Sequence, residues 1–222
     1  MRSLIQPQVL KSAGFAAALT TLACWPRIAL WTDRGDAVWF LLMFIAWAAF
    51  FQWSFVFAWH EKYSGRPVFR RVISTQLWVI VTLCGLAGAM VLRWFLDPIV
   101  REWLPKDYPR ELPTWGAMLL FTLGLEQLFV GFAPFALFVR LFQKVTPAVM
   151  ATVCFGVFIL VLKVQTAVVS PAAGTLLALV LFRVAGGFLV MHFYLKGGVF
   201  LVWWWAVLVQ CRHLPDLLTG GK

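Results

Sequence analysis

Glu126, with Gln127 beside it, falls near the middle of the apolar stretch Trp115–Phe142, and Arg183 near the middle of Ala172–Leu195. If these stretches cross a bilayer, an ionisable group near mid-depth costs at least about 2.5–3.5 kcal/mol on insertion scales, so each is expected to have a partner or a task. Their similar depths permit a Glu126–Arg183 pair. The alternative is a protonated Glu126 bonded to a backbone carbonyl, with Arg183 reaching a headgroup or loop. Gly124 and Gly131 on the first stretch, and Ala185, Gly186 and Gly187 on the second, would let helix backbones approach closely.

Other chemistry-bearing residues are sparse. His60, His192 and His213 lie at or near the ends of apolar stretches and read most simply as polar caps or interface residues. Cys24, Cys84, Cys154 and Cys211 sit inside or beside apolar segments without metal-type spacing, so neither a metal site nor a disulfide framework is expected. Three consecutive indoles, Trp203, Trp204 and Trp205, point to different sides of a helix. Some of them must face lipid, packed protein or an apolar ligand. No cofactor is required by these residues, although a bound lipid or apolar cofactor would suit that surface.

The elements that position these residues follow from composition. At 62% hydrophobic and 13% charged, 222 residues carry more apolar side chains than a soluble core can bury. The chain is therefore expected to be all-α, a polytopic transmembrane helix bundle, because helices close their backbone hydrogen bonds internally, as lipid requires. Ala37–Trp59, Val72–Leu96 and Trp115–Phe142 each exceed the roughly 20 residues that one crossing needs. Lys11–Trp31, Pro147–Leu162, Ala172–Leu195 and Gly198–Cys211 bring the expectation to about seven. The first of these is expected to break at Pro26–Arg27, and the last is short. Lys11 and the apolar run after it resemble the start of a signal peptide, but no small-x-small cleavage site precedes the next span, so an uncleaved first helix is expected.

The net charge of +10 is spread over loops between apolar spans, which argues against nucleic-acid binding. Lys62, Arg66, Arg70 and Arg71 form the densest basic cluster and place that loop, and with it the N-terminus, in the cytoplasm. Asp97–Thr114, where acids and bases nearly cancel, then falls on the opposite side, as does the C-terminus if all seven segments cross. Many of the other Trp residues cluster near predicted span ends, as interfacial anchors do.

The run Gly124-Leu-Glu-Gln-Leu-Phe-Val-Gly-Phe-Ala-Pro-Phe-Ala-Leu-Phe-Val-Arg140 resembles the first motif of the CPBP intramembrane proteases, the family of CAAX prenyl endopeptidases and bacteriocin-processing or immunity proteins. That motif is a Glu-Glu pair, three residues and Arg, followed by an apolar stretch and a basic helix end. Ala151–Leu162 and Gly186–Gln210 are similar to later parts of the family in order and separation. The resemblance implies a CPBP-like helical core over 115–213, preceded by transmembrane helices and loops over 1–114 and followed by a short tail, 214–222. It is consistent with a bacterial inner membrane.

The departures weigh against the family's chemistry. Glu126 matches the first glutamate, but Gln127 replaces the second and no arginine follows at the motif's spacing. Ile159 stands where a histidine should follow Phe155, and Trp205–Cys211 carries neither histidine nor acid. One carboxylate without a base, metal ligand or oxyanion donor does not make a catalytic site. The expectation is a non-catalytic protein on a degenerate scaffold, an accessory or assembly subunit of a membrane complex or a binder of lipidic ligands or membrane peptides. Its partners would be membrane lipids and other membrane subunits. The alternative is a divergent CAAX-type endopeptidase using Glu126.

Overall fold

The computed structural model describes residues 3–31, 34–167 and 172–219, and those residues are helical with no strand beyond one isolated bridge. Among the described residues, six helices are long and apolar enough to cross a membrane: α1 (Pro7–Trp31), α2 (Gly35–Ser64), α3 (Thr75–Trp103), α4 (Leu112–Phe142), α5 (Val145–Val164) and α6 (Ala173–Gly197). A seventh, α7 (Val199–Gln210), has 12 residues and reaches about 18 Å, short of a full hydrocarbon layer. The chain is thus an all-α polytopic bundle. Large apolar side chains remain uncovered along the helices, among them Phe40, Trp47, Leu83 and Leu181, as expected of surfaces solvated by lipid rather than water.

Local chemistry sets the helix ends. Gly65, in the left-handed region at φ 68°, closes α2 by donating its N–H to the Glu61 carbonyl. The Ser74 hydroxyl caps α3 by accepting from the Leu77 N–H. Gln143, left-handed at φ 51°, ends α4 through its N–H to the Val139 carbonyl. The expected break at Pro26 does not occur, and α1 runs on to Trp31. A proline forfeits only one ladder bond here, while Cys24 and Ile28 pack on Leu42 and Ile45 of α2 and hold the last turns in register.

Two prolines leave a clearer mark. The π turn Leu92–Leu96 precedes Pro98, and the π turn Leu128–Phe132 precedes Pro134. A helical proline ring collides with the carbonyl four residues back and cannot donate to it. Widening the preceding turn relieves both problems.

The chain forms two compact units, Met1–Val68 with Gly116–Thr152, and Phe69–Trp115 with Val153–Lys222. In the first, the Trp53 indole donates to the Thr20 hydroxyl at 3.0 Å, tying α2 to α1. Phe132 and Phe135 of α4 meet Trp53 and His60 of α2, so these two helices run parallel. The Arg140 guanidinium lies 5.1 Å from the Trp59 ring centre.

In the second unit, contacts of Thr82 with Trp204 and Gly85 with Leu208 set α7 parallel to α3. Contacts of Val153 with Gly187 and Gly156 with Arg183 set α5 antiparallel to α6. The corner between α6 and α7 is Gly197–Gly198. Gly198 has φ 73°, and a Cβ on Gly197 would collide with the Leu201 side chain.

Candidate functional site

Glu126 ends the π turn Thr122–Glu126, and a second π turn begins just after Gln127. Its Oε2 accepts a hydrogen bond from the Thr122 hydroxyl at 2.9 Å, one turn back on the same helix. Gly124 provides the close approach expected of it, because a Cβ there would lie 3.2 Å from Ala23 Cβ of α1. Arg183 is half-buried, and its Nε donates to the Gly156 carbonyl at 3.4 Å, a long bond to a backbone acceptor. Each member of the expected Glu126–Arg183 pair therefore has a polar contact within its own unit. Gly187 packs on Val153 at 3.2 Å, whereas Gly186 faces open space.

Two of the histidines, His60 and His213, differ from their reading as polar caps or interface residues. His192 is exposed, but His60 is fully buried, with its ring 5.4 Å from that of Phe135. Helix α2 continues four residues past His60, and the π turn Val56–His60 carries the ring inward rather than leaving it at a helix end. His213 is also buried, at 3% exposure, against the Tyr108 ring.

His213 belongs to a polar cluster that the sequence reading missed. Arg212 Nε donates to Asp97 Oδ2 and the Tyr108 hydroxyl donates to Asp97 Oδ1, both at 2.9 Å. The Asp97 and Arg212 side chains are only 9% and 14% exposed. Arg93 donates to the Arg212 carbonyl and, with Arg101, grips both oxygens of Asp216. Lys163 pairs with Asp107 at 2.8 Å. From the sequence, Asp97–Thr114 reads as a segment whose charges nearly cancel among themselves. The structure instead matches Asp97 with Arg212, and Arg101 with Asp216, residues more than a hundred positions away.

The electrostatics follow from these contacts. Burial, and then the neighbouring Asp97 carboxylate, hold the Tyr108 hydroxyl well above its usual range, so it stays a donor. Burial, reinforced by the Arg212 charge, pushes His213 below its usual value, so its ring is neutral at pH 7. Burial pushes the Asp216 carboxyl up, but the hydrogen bonds and charges of Arg101 and Arg93 outweigh it and leave a net lowering. With both Asp97 oxygens engaged by donors, the cluster is built to hold helix ends together rather than to accept a proton from a substrate. Among the described residues, no three His, Cys, Asp or Glu side chains converge as a metal site would require. Cys24, Cys84, Cys154 and Cys211 are free thiols.

The three indoles have three environments. Trp205 is buried beside Phe193, with its ring tip over Gly88. Trp204 is 37% exposed, donates to the Thr82 hydroxyl and meets Trp78 edge-on. Trp203 is half-buried against Phe200, and its indole N–H has no acceptor among the described residues.

Comparison of the chain with protein-family models, curated proteins and solved structures gave no match. What the fold and these residues define is the class, a multi-pass helical membrane protein.

Proposed function

We propose that the chain is a non-catalytic membrane protein on a degenerate CPBP-like scaffold, and that it works by binding lipidic ligands, as an accessory or assembly subunit of a membrane complex. The observation that carries this reading is the division of labour on α7. Trp205 serves packing, while Trp204 and part of Trp203 remain on a lipid-level aromatic surface that packing does not consume. Aromatic side chains with a polar edge suit amphiphiles, which present apolar chains beside polar groups. We place the N-terminus in the cytoplasm of a bacterial inner membrane, on the strength of Lys62, Arg66, Arg70 and Arg71.

A second reading, a divergent endopeptidase using Glu126, draws on the π turns on either side of Gln127, since such turns often accompany functional sites. Purified protein in gentle detergent decides between them. The binding reading expects co-purifying lipid or membrane subunits and no cleavage of prenylated or leader peptides. Cleavage abolished by Glu126→Ala would overturn it. Accessibility labelling that placed Arg66→Cys and Asp107→Cys on the same side of the membrane would overturn the topology.

A further inference from the structure

Beside α7 the second unit has an open cavity of about 620 Å³, within the size range of small-ligand sites. Arg70 and Arg71 stand on one part of its lining, and Trp78, Phe200, Trp203 and Trp204 form an aromatic wall. We propose that this cavity binds one anionic glycerophospholipid, its phosphate held at Arg70 and Arg71 and its acyl chains laid along the indole wall. The proposal rests on the lipid-binding reading above and names its ligand.

Charge supplies the first argument. The lining contains two guanidinium groups and no carboxylate. Arg71 is exposed and has no ion-pair partner among the described residues, so its donors are available to a ligand. The planar fork of a guanidinium matches two phosphate oxygens at once, which an ammonium cannot do.

Preorganisation is the second. The Phe69 backbone bridges to Gly198, and Arg70 Nη1 donates to the Lys196 carbonyl at 2.6 Å. The arginine-bearing segment is therefore fixed to the corner where α7 begins. Gly198 is the residue that makes this corner, at a φ that a side chain would strain. Because Arg70 is already spending one donor on the fold, Arg71 carries more of the ligand contact.

Depth is the third. The arginines precede the first turn of α3 at Thr75, at the end of the crossing where phosphates of a bilayer lie, while Trp204 and Val207 line the cavity further along α7. Phe200 and Trp204 are exposed at 44% and 37%, so the wall is open to the lipid layer. A free phosphate would leave that wall unused, and a zwitterionic lipid, although it too has a phosphate, would set its headgroup cation against the two guanidinium charges. An anionic phospholipid uses both.

The test is native mass spectrometry of the full chain released from vesicles containing equal amounts of phosphatidylglycerol and phosphatidylcholine. The expected result is one retained phosphatidylglycerol, preferred about tenfold. Arg71→Gln should reduce that preference at least fivefold, Arg71→Lys should fall between, and Trp203→Leu should weaken retention of both lipids. Arg71 is exposed, so its variants should retain the wild-type elution profile and thermal midpoint. Equal retention of the two lipids by the wild type, or an unchanged preference in Arg71→Gln, would overturn the proposal. Release of the lipid by millimolar inorganic phosphate would overturn it too, by making soluble phosphate the ligand. Peptide cleavage requiring Glu126 would defeat the non-catalytic reading while leaving these lipid measurements standing. Loss of lipid preference without cleavage would defeat this inference alone.

Discussion

Removing the Asp97 carboxylate should be the most damaging single change in the second unit. Asp97→Ala strands the Arg212 guanidinium, which is 14% exposed, and deprives Tyr108 of its acceptor. Breaking a buried pair from one side costs about 3–5 kcal/mol, because the remaining charge stays desolvated. Arg212 keeps its bond to the Val209 carbonyl, which favours the lower half of that range. Arg212→Leu should cost less, about 2–3 kcal/mol, because an unpaired carboxyl can take up a proton and keep Tyr108 as a partner. Tyr108→Phe removes one hydrogen bond to a charged group, about 1.5–3 kcal/mol.

At about 2–4 °C per kcal/mol for a chain of this size, Asp97→Ala should lower the thermal midpoint by roughly 6–16 °C. Tryptophan fluorescence or aggregation of detergent-solubilised protein reads this directly. The Asp97→Ala/Arg212→Leu double variant should be more stable than the sum of the single losses by about 1–3 kcal/mol. Additivity within about 0.5 kcal/mol, or an Asp97→Ala loss below about 1 kcal/mol, would mean that water already screens the pair as it does a surface contact, and would refute the reasoning.

Three further outcomes follow from other contacts. His213 has a folded value below its unfolded one, so the stability it contributes is complete above the ordinary histidine range and is lost as pH falls through about 6.5 towards the folded value; the slope is at most about 1.4 kcal/mol per pH unit, and a flat profile from pH 7.5 to 5, or one unchanged by His213→Gln, would contradict it. A Cβ on Gly85 would meet Leu208 Cδ1 at 2.8 Å, so Gly85→Ala should cost about 1–3 kcal/mol and be partly rescued by Leu208→Ala, whereas equal loss in both backgrounds would deny that contact. Thr122→Val removes the donor to Glu126 and should cost about 0.5–2 kcal/mol in detergent, an effect that Glu126→Leu should erase in the double variant.

Helix existence was the legible part of this fold, because lipid leaves a long apolar run few other conformations. Expected spans such as Ala172–Leu195 and Pro147–Leu162 lie within two residues of Ala173–Gly197 and Val145–Val164 at each end. Helix faces were not legible. In a soluble helix the polar side identifies the exposed face, but α2 and α3 are apolar all round, and lipid solvates Leu83 as readily as packing accepts Val81. The three indoles show the same limit, since only coordinates separate buried Trp205 from exposed Trp204. The Asp97–Arg212 pair was hidden for a different reason. Its partners are 115 positions apart, and Asp97 sat among enough nearby basic residues to look neutralised locally.

Three ionisable residues inside the helices share a backbone feature that bears on function. His60, Arg93 and Glu126 each lie in a π turn, where the ladder is widened. Prolines account for the turn at Arg93 and for the one after Gln127, but the turns that hold His60 and Glu126 have no proline shortly behind them. Widening a turn costs hydrogen-bond quality, so those two must be repaid by what the rotated side chains reach. At Glu126 one gain is the Thr122 hydroxyl, and at His60 one is the tilted Phe135 ring, 5.4 Å away between ring centres. Arg71, at the end of a crossing and beside an aromatic wall, offers donors that suit the anionic amphiphile proposed above.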